Sequence, residues 1–397
     1  MPYIPRLLSP QIQKAARTFP AVLITGPRQC GKTTLLRHLY PQASYVLLED
    51  PDVLARVRAD PRAFIESLRP PVVLDEIQNA PELFSYLRTR IDAAPGRKGR
   101  WLLTGSQEAP LMRGVAESMA GRVAVLHLLP FSTVETPKVS QARGGYPGVV
   151  GRPSAAQLWF RSYVQTYLER DVRAVTAVRD LATFRRFLAL LAMRIGTVLN
   201  RTDLAAPLGV TVPTLSDWLD VLEVTGQILR VPPFFENFGK RLIKSPKLYF
   251  VDSGLACHLL GIDSPTALRR SPFAGPVFEG FVAAEIAKQQ VNRGGRADLY
   301  YFRDQQGLEV DFIVPTSPGG LAVIEAKASR TVTPTMARPL TRLTAAIERY
   351  DARAFVVHEG GAHDAAGRTL PPGVYPITHR ELPGERRRAP GYRSASG

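Results

Sequence analysis

The sequence predicts an α/β fold: a parallel sheet with helices on both faces, followed by a helical region and a smaller α/β domain. Three observations lead to this prediction. Over residues 1–135, short apolar runs alternate with segments of helical periodicity, which is typical of a parallel sheet. Residues 137–155 are rich in Gly, Pro, Ser and Ala and indicate a loop or linker at a domain boundary. Beyond residue 246, strand-like runs return with acidic residues at alternate positions.

The first part of the chain contains strand candidates at residues 21–25, 44–48, 71–74 and 100–104. Between them lie helix-like segments, notably residues 53–67 and 81–93. In parallel sheets of this kind, ligands bind at the carboxyl ends of the strands. The residues that follow each strand are therefore the first candidates for a binding site.

A phosphate-binding loop follows the first strand, because residues 26–33 fit the pattern G-x-x-x-x-G-K-[ST]. In such a loop, backbone N–H groups at the start of a helix hold the phosphates. Lys32 is expected to reach the β and γ phosphates, and the Thr33 hydroxyl to bind Mg²⁺. The pattern predicts a P-loop NTPase sheet with ATP and Mg²⁺ as cofactors, and the alternative is a chance glycine turn. The residues expected at the nucleotide are Gly26, Pro27, Arg28, Gln29, Cys30, Gly31, Lys32, Thr33 and Thr34.

An apolar strand ending in Asp75 and Glu76 matches the second element of such a site, the Walker B pattern. Asp75 is expected to bind Mg²⁺, and Glu76 to orient and deprotonate the attacking water. The alternative is that these acids cap the helix that begins near residues 77–79.

Two further residues are candidates for contacts with the γ-phosphate. Ser106 follows the strand at residues 100–104 and can act as a sensor of the γ-phosphate, or it belongs to an ordinary turn. Arg122 precedes the apolar run at residues 123–129 and is a candidate for stabilising transition-state charge, in its own subunit or across an interface. The alternative for Arg122 is a surface arginine.

The middle of the chain, residues 136–245, combines the linker with helices at residues 156–175 and 182–194. A Gly-containing turn, a helix at residues 213–223 and a strand at residues 227–231 then predict a winged helix-turn-helix. Its second helix carries acidic residues and no Lys or Arg, which favours a packing or coupling module over DNA reading. A basic run follows, and it either holds a phosphate backbone or forms a solvated loop: Lys240, Arg241, Lys244 and Lys247.

A second set of carboxylates lies in the last part of the chain. Residues 308–314 and 321–327 are predicted to pair as antiparallel strands that set Asp311 opposite or next to Glu325. With Lys327 on the same face and Glu279 on a preceding helix, this layout is typical of a PD-(D/E)-x-K nuclease core. Glu279, Asp311 and Glu325 are then the metal ligands, and Asp311, Glu325 and Lys327 the catalytic residues. The alternative is a salt-bridged sheet facing solvent, since the motif is short and degenerate.

Composition narrows the candidate partners. The chain has 397 residues and a net charge of +16, which favours polyanions such as DNA or RNA. Two cysteines form no disulfide framework, and no apolar run approaches the length that crosses a bilayer. Because the start of the sequence lacks the layout of a signal peptide, we expect a cytoplasmic protein that has no membrane as a partner. A protein partner and a homo-oligomer remain open alternatives.

The chain resembles the bacterial and archaeal AAA-type ATP-binding proteins that carry a C-terminal domain with a nuclease-like core. The resemblance implies ATP binding and hydrolysis. Members of this family look like both ATP-driven nucleases and nucleotide-gated regulatory switches. The pattern along the chain predicts an ATPase domain at residues 1–135, a linker, helices and a winged helix-turn-helix at 136–245, a nuclease-like domain at 246–380 and a basic tail at 381–397. The segments that carry the resemblance are residues 25–34, 74–78, 103–106, 167–172, 240–247, 251–255, 309–311 and 324–327.

Overall fold

The structure is a computed structural model that describes residues 2–105, 118–168, 181–234, 245–317, 319–347, 349–360 and 370–382. Ser106 and three residues of the basic run, Lys240, Arg241 and Lys244, lie outside these ranges. Among the described helices, none is both long and apolar enough to span a bilayer.

The N-terminal part is a five-stranded parallel sheet with the order β2-β3-β4-β1-β5. Alternate residues of β1 enter different apolar cores on the two faces of the sheet, so helices cover both faces, as predicted. The strands are β1 Ala21–Thr25, β2 Ser44–Leu47, β3 Val72–Asp75, β4 Trp101–Thr104 and β5 Val123–His127. The helices are α1 Ser9–Thr18, α2 Lys32–Leu39, α3 Pro51–Ala59, α4 Pro61–Ser67 and α5 Leu83–Asp92.

The single helix predicted at residues 53–67 is two helices, α3 and α4. Asp60 separates them in an extended conformation, and its carboxylate accepts a hydrogen bond from the Ala63 N–H at 2.8 Å. Pro61 has no N–H and therefore begins a helix more readily than it continues one. The Asp60-Pro61 pair therefore indicates a break between two helices. The apolar periodicity of residues 53–67 continues across this pair and so suggests one helix.

The predicted linker at residues 137–155 is a packed segment. It contains helix α6 Pro147–Gly151, and the Tyr146 side chain is 1% exposed in the apolar core. Gly145 lies so close to Phe131 that a Cβ would come within 2.1 Å of the carbonyl oxygen. The glycines here allow close backbone packing and do not mark an open connection.

A helix-turn-helix and a pair of antiparallel strands follow. The turn contains Gly209 in a left-handed conformation, and the second helix, α10, carries the acidic residues. Arg230 on the first strand forms ion pairs with Asp220 and Glu223 of that helix. The elements are α7 Ala156–Tyr163, α8 Leu181–Met193, α9 Arg201–Ala205, α10 Val212–Val224, β6 Ile228–Val231 and β7 Lys247–Phe250.

The C-terminal part is a five-stranded mixed sheet with the order β12-β11-β10-β9-β8. Helix α13 packs on one face and shares one apolar core with the middle helices, while α14 covers the other face. Strands β6 and β7 pair across the expected domain boundary at residue 245. The elements are α11 Ser253–Leu259, α12 Pro265–Arg270, α13 Ala274–Val291, β8 Tyr300–Arg303, β9 Glu309–Ser317, β10 Gly320–Lys327, α14 Arg338–Ala346, β11 Asp351–His358 and β12 Val374–Thr378.

Candidate functional site

The phosphate loop connects the end of β1 to the start of α2, at the carboxyl edge of the sheet. Gly26 has φ +140°, and a Cβ there would lie 2.1 Å from the Leu128 carbonyl oxygen. Gly31, with φ +99°, is the residue before the first turn of α2. Both positions therefore require glycine, the first because of contact and conformation, the second because of conformation.

The Lys32 side chain is buried and turns back onto the loop. Its Nζ donates hydrogen bonds to the carbonyl oxygens of Gly26 at 3.0 Å and Pro27 at 2.9 Å. The ammonium group is thus held at the start of the loop, on which phosphates bind in this type of site.

The two predicted Mg²⁺ ligands lie in direct contact. The Thr33 hydroxyl donates to the Asp75 carboxylate, at 2.9 and 3.0 Å from its two oxygens. Tyr45 on β2 donates to Asp75 Oδ2 at 2.6 Å, and Thr104 on β4 donates to Oδ1. Burial and the hydrogen bond to Asp75 raise the pKa of Tyr45. A hydroxyl and a carboxylate oxygen are ligands that Mg²⁺ prefers, so these residues fit the ion.

Glu76 follows β3 in a conformation that is rare outside glycine, with φ +57° and ψ +52°. Its N–H donates to the Thr104 hydroxyl at 3.1 Å, and its carboxylate accepts from Gln78 at 2.5 Å. The Glu76 side chain makes no capping hydrogen bond to the short 3-10 turn Ile77–Asn79. The arrangement therefore does not support the capping alternative, and strain of this kind is common at functional sites.

Residues from β5 and from the middle part pack behind the loop. Thr25 is hydrogen-bonded to His127 Nδ1 at 3.0 Å, and burial together with the nearby Lys32 lowers the pKa of His127 to about 4. A Cβ on Gly226 would lie 2.9 Å from the Pro27 ring. The helix-turn-helix part thus contacts the phosphate loop directly.

Three other residues that were predicted at the nucleotide, Arg28, Cys30 and Thr34, differ in their burial and in their contacts. The Arg28 side chain is buried and lies 3.6 Å from the Glu49 carboxylate. The Cys30 thiol donates to the Leu128 carbonyl oxygen at 3.3 Å, so it holds the loop against β5. Thr34 is exposed in the first turn of α2.

Arg122 lies away from the phosphate loop of its own chain. It precedes β5 and therefore sits at the amino edge of the sheet, about 15 Å from the carboxyl edge for a strand of this length. Its guanidinium forms a two-pronged ion pair with Asp92, at 2.6 and 2.9 Å. This position argues against a role of Arg122 in its own subunit and is the one expected of a surface arginine.

The second predicted set meets at the paired strands β9 and β10. In the antiparallel register of β9 and β10, Ile324 lies opposite Phe312, so the next pair sets Asp311 opposite Glu325. Asp311 accepts a hydrogen bond from the Ala326 N–H at 2.9 Å, and Lys327 Nζ lies 2.6 Å from Glu325. The side chains of Asp311, Glu325 and Lys327 thus lie close together, as predicted.

A buried ammonium group, that of Lys247, lies among these carboxylates. The sequence placed Lys247 in a basic run that either holds a phosphate backbone or forms a solvated loop, but its side chain is 2% exposed on β7. Its Nζ lies 3.0 Å from Glu279, 2.7 Å from Glu309 and 3.8 Å from Asp311. Although burial alone lowers it, the three carboxylates raise the pKa of Lys247.

The carboxylates around Lys247 do not form a metal site in this arrangement. Within the described ranges, no group of three or more His, Cys, Asp or Glu residues is placed to hold a metal ion. Glu279, Glu309 and Asp311 instead contact the ammonium group of Lys247, and Glu325 contacts that of Lys327. Compensation by lysine serves the requirement that buried carboxylates be paired.

Two of these carboxyl groups have pKa values near neutral pH. Burial, with the nearby charge of Asp311, raises the pKa of Glu279 to about 7 and that of Glu325 to about 8. Among the described residues, no hydrogen-bond partner contacts the buried Glu325 Oε2. Tyr249 donates to Glu279 at 2.5 Å.

Three residues of these sites were missed by reasoning from the sequence: Tyr45, Lys247 and Tyr249. Tyr45 and Tyr249 lie on short strands whose apolar character predicts burial and says nothing about a hydroxyl partner. Lys247 carried one usable signal, since it directly precedes the apolar residues of a strand.

The fold and the site define an AAA-type P-loop ATPase domain, and the comparisons with known proteins agree. Residues 18–136 match the family described as an AAA domain. Residues 139–266 and 274–373 match two domains of unknown function, DUF8612 and DUF4143.

Two relatives cover almost the whole chain. The uncharacterized protein Rv2008c of Mycobacterium tuberculosis is 35% identical over 362 residues, which cover 88% of this chain and 79% of that protein. The uncharacterized protein Mb2031c of Mycobacterium bovis gives the same values. The chain therefore belongs to the same protein family as these two mycobacterial proteins.

Among solved structures, one that matches part of this chain is the Walker-type ATPase PABY2304 of Pyrococcus abyssi. It is 16% identical, with a TM-score of 0.43, over 63% of this chain and 94% of that chain.

Proposed function

We propose that this protein is a Mg²⁺-dependent ATPase whose nucleotide state controls the binding of a partner by its C-terminal part. The observation that carries the first half is the contact between the Thr33 hydroxyl and the Asp75 carboxylate, with Glu76 at the next position. In this proposal, Thr33 and Asp75 hold Mg²⁺, which would neutralise charge on the β and γ phosphates.

The chain's own groups divide the remaining tasks. Lys32 leaves the carbonyl oxygens of the loop and binds the β and γ phosphates. Glu76 orients the attacking water and accepts its proton, while Thr104 fixes the Glu76 backbone and the Asp75 carboxylate together. Ser106 remains a proposed contact of the γ-phosphate, and Arg122 remains a proposed contact across a subunit interface.

Steady-state ATP turnover and nucleotide binding test the first half. Glu76→Gln is expected to lower kcat by about 10² to 10⁴ and to retain ATP binding, because it removes a base and keeps the shape. Lys32→Ala is expected to lose binding. Glu82→Gln, an exposed glutamate at the start of α5, is the matched control. Full turnover by Glu76→Gln would exclude the assigned role.

The second half, a switch without cleavage, is supported by contacts between the parts of the chain. Gly226 packs on Pro27 of the phosphate loop, and one core joins the helix-turn-helix to the C-terminal sheet. We interpret the helix-turn-helix with β6 and β7 as a winged helix. Since its second helix is acidic and already paired with Arg230, it acts as a coupling module in this proposal.

Hydrogen exchange of the full chain tests the switch. Amide protection in β9, β10 and α10 is compared with ADP and with a non-hydrolysable ATP analogue, each with Mg²⁺. The two states are expected to differ in wild type and to agree in Lys32→Ala, which is expected not to bind nucleotide. Identical exchange in both states of wild type would contradict the switch.

A second candidate function is cleavage of a nucleic acid by the C-terminal part. It is favoured by Asp311 opposite Glu325, by Lys327 beside them, by the unpartnered Glu325 oxygen and by the net charge of +16. It is placed second because the ammonium group of Lys247 already pairs with Glu279, Glu309 and Asp311, where a metal ion would otherwise supply the positive charge.

Plasmid cleavage with ATP and Mg²⁺ or Mn²⁺ separates the two candidates. Wild type, Asp311→Asn and Lys247→Met are compared, with Asp351→Asn as an exposed control. The switch proposal expects no cleavage by wild type. Cleavage by wild type that is lost in Asp311→Asn would replace it with the nuclease.

A further inference from the structure

Arg6, a residue outside every motif of the sequence, lies behind the phosphate loop. Its side chain is 3% exposed, and its guanidinium lies 4.4 Å above the Phe131 ring. It donates to the Cys30 carbonyl oxygen at 2.9 Å, to the Leu129 carbonyl oxygen at 2.5 Å and to Glu135 at 2.8 Å. One rigid group therefore joins the loop, the segment after β5 and a buried carboxylate.

The contact with Cys30 controls the direction of an N–H group in the loop. The Cys30 carbonyl and the Gly31 N–H belong to one planar peptide, and in a trans peptide they point in opposite directions. Holding the carbonyl toward Arg6 consequently turns the Gly31 N–H away from Arg6, to the other side of the loop. A carbonyl that accepts from a cation also polarises its peptide and strengthens that N–H as a donor.

Neutralising Glu135 does not account for this arrangement. The ion pair with Glu135 uses the Nε group, whereas both terminal nitrogens of Arg6 donate to backbone carbonyls. A lysine is able to neutralise Glu135 but has no fork that spans these three acceptors. The structure thus uses the shape of arginine as well as its charge.

The same network reaches helix α13. Glu135 Oε2 accepts a hydrogen bond from Asn292 Nδ2 at 3.1 Å, and Asn292 also contacts the backbone of Leu129 at 2.9 Å and Pro130 at 3.2 Å. Asn292 is fully buried and ends α13. Glu279 lies thirteen residues earlier on that helix, roughly 20 Å away along its axis.

We propose that Arg6 is a positioning residue of the phosphate loop and that, through Glu135 and Asn292, it ties the loop to helix α13. The proposal rests on the proposed ATP site and adds a route by which that site communicates with the carboxylates around Lys247. Arg6 acts on the nucleotide through the Cys30–Gly31 peptide and does not touch it.

The first test removes Arg6 without leaving a buried charge unpaired. Affinity for a fluorescent ATP analogue, KM, kcat and Tm are measured for wild type, Arg6→Lys and the double variant Arg6→Gln/Glu135→Gln. The double variant is expected to weaken binding and raise KM about tenfold, with kcat changed much less, because the loop N–H holds phosphate before and during reaction. The affinity and KM of Arg6→Lys are expected to lie between those of wild type and those of the double variant.

The control is Arg17→Gln, an exposed arginine on α1, which is expected to match wild type. A folded double variant with wild-type affinity and KM would overturn the role of Arg6. Absence of turnover in wild type would instead refute the proposed hydrolysis, and the binding measurements would still decide on Arg6.

A double-mutant cycle tests the link to α13. The effects of Arg6→Lys and Asn292→Ser on ATP-analogue affinity are expected to be non-additive, since both residues bond Glu135. The matched cycle pairs Arg6→Lys with Asn200→Ser, an exposed cap of α9, where additivity is expected. Additive effects in both cycles would overturn the link.

Discussion

Buried charges determine the character of this protein at the residue scale. Lys247 and Arg6 are both almost fully buried, and each bonds to carboxylates from distant parts of the chain. Ions at such positions are costly unless they are paired and hydrogen-bonded. Their pairing explains why three carboxylates can approach one another at Lys247. At Glu279 and Glu325, burial and the charge of Asp311 outweigh the effect of the lysines, so the pKa values are raised and these groups hold their protons more tightly than exposed glutamates do.

Stability is expected to fall as the pH rises from about 5 to 8. The pKa values of Glu279 and Glu325 are raised in the folded chain, to about 7 and about 8, so the folded state binds more protons than the unfolded state over this range. The stabilisation is fully present below the unfolded pKa and is lost as the pH passes the folded values. Urea denaturation across this range measures the effect.

The control for this pH dependence is the double variant Glu279→Gln/Glu325→Gln. It is expected to show a flatter dependence than wild type, since its amides do not titrate. Equal slopes in the two proteins would mean that these glutamates do not bind the extra protons.

At the element scale, strand ends and glycine turns place the functional groups. The phosphate loop follows β1, Asp75 ends β3 and Thr104 ends β4, so three neighbouring parallel strands deliver their side chains to one edge. Because the side-chain period of a strand is two, the pairing of β9 with β10 likewise determines which acids share a face. Both arrangements were predicted, since periodicity and turn residues are local properties.

Gly26→Ala is expected to abolish ATP binding while leaving the sheet folded. Its Cβ would meet the Leu128 carbonyl oxygen at 2.1 Å, and φ +140° is unfavourable for alanine. Loop and strand must then separate, which displaces the phosphate-binding N–H groups. Nucleotide titration and circular dichroism report the two properties.

Gly121→Ala is the matched variant for this prediction. Gly121 also has a positive φ, +74°, but a Cβ there would have no atom within 4 Å. It is expected to lower stability by roughly 1 kcal/mol and to keep ATP binding. ATP binding by Gly26→Ala at wild-type affinity would show that the contact with Leu128 yields.

At the scale of the whole molecule, two sheets are joined by continuous packing. The N-terminal sheet touches the helix-turn-helix at Gly226, and the segment after β5 bonds to the end of α13. Helix α13 then crosses the core to Glu279. The phosphate loop and the carboxylate cluster are therefore connected by packed elements, and Arg122 lies at the opposite edge of the N-terminal sheet.

Arg122→Ala is expected to leave ATP turnover per chain unchanged in dilute protein, since Arg122 is distant from the phosphate loop of its own chain. Turnover per chain is measured against protein concentration for wild type and variant. A loss that appears only at high concentration would assign Arg122 to a neighbouring subunit. A loss that persists at the lowest protein concentration would contradict the placement at the amino edge.

Prediction from the sequence failed where distant segments meet. Lys247 was expected to contact a phosphate backbone or to lie in a solvated loop, and it is the centre of the carboxylate cluster. Residues 137–155 were expected to form a linker and are packed against Phe131 and Asp252. Arg6 carried no signal at all. None of these environments has a local pattern, because each depends on side chains from elsewhere in the chain.

The amino-acid sequence by itself determined the parallel N-terminal sheet, the phosphate loop with Lys32 and Thr33, the acids at the end of β3 and the facing of Asp311 and Glu325. These follow from short-range rules of strand period, glycine conformation and helix start. Only the tertiary structure decided that Lys247 pairs with carboxylates of the second set and that Arg6 joins the loop to α13. Buried charges require partners, and it is the fold that determines which distant residues those partners are.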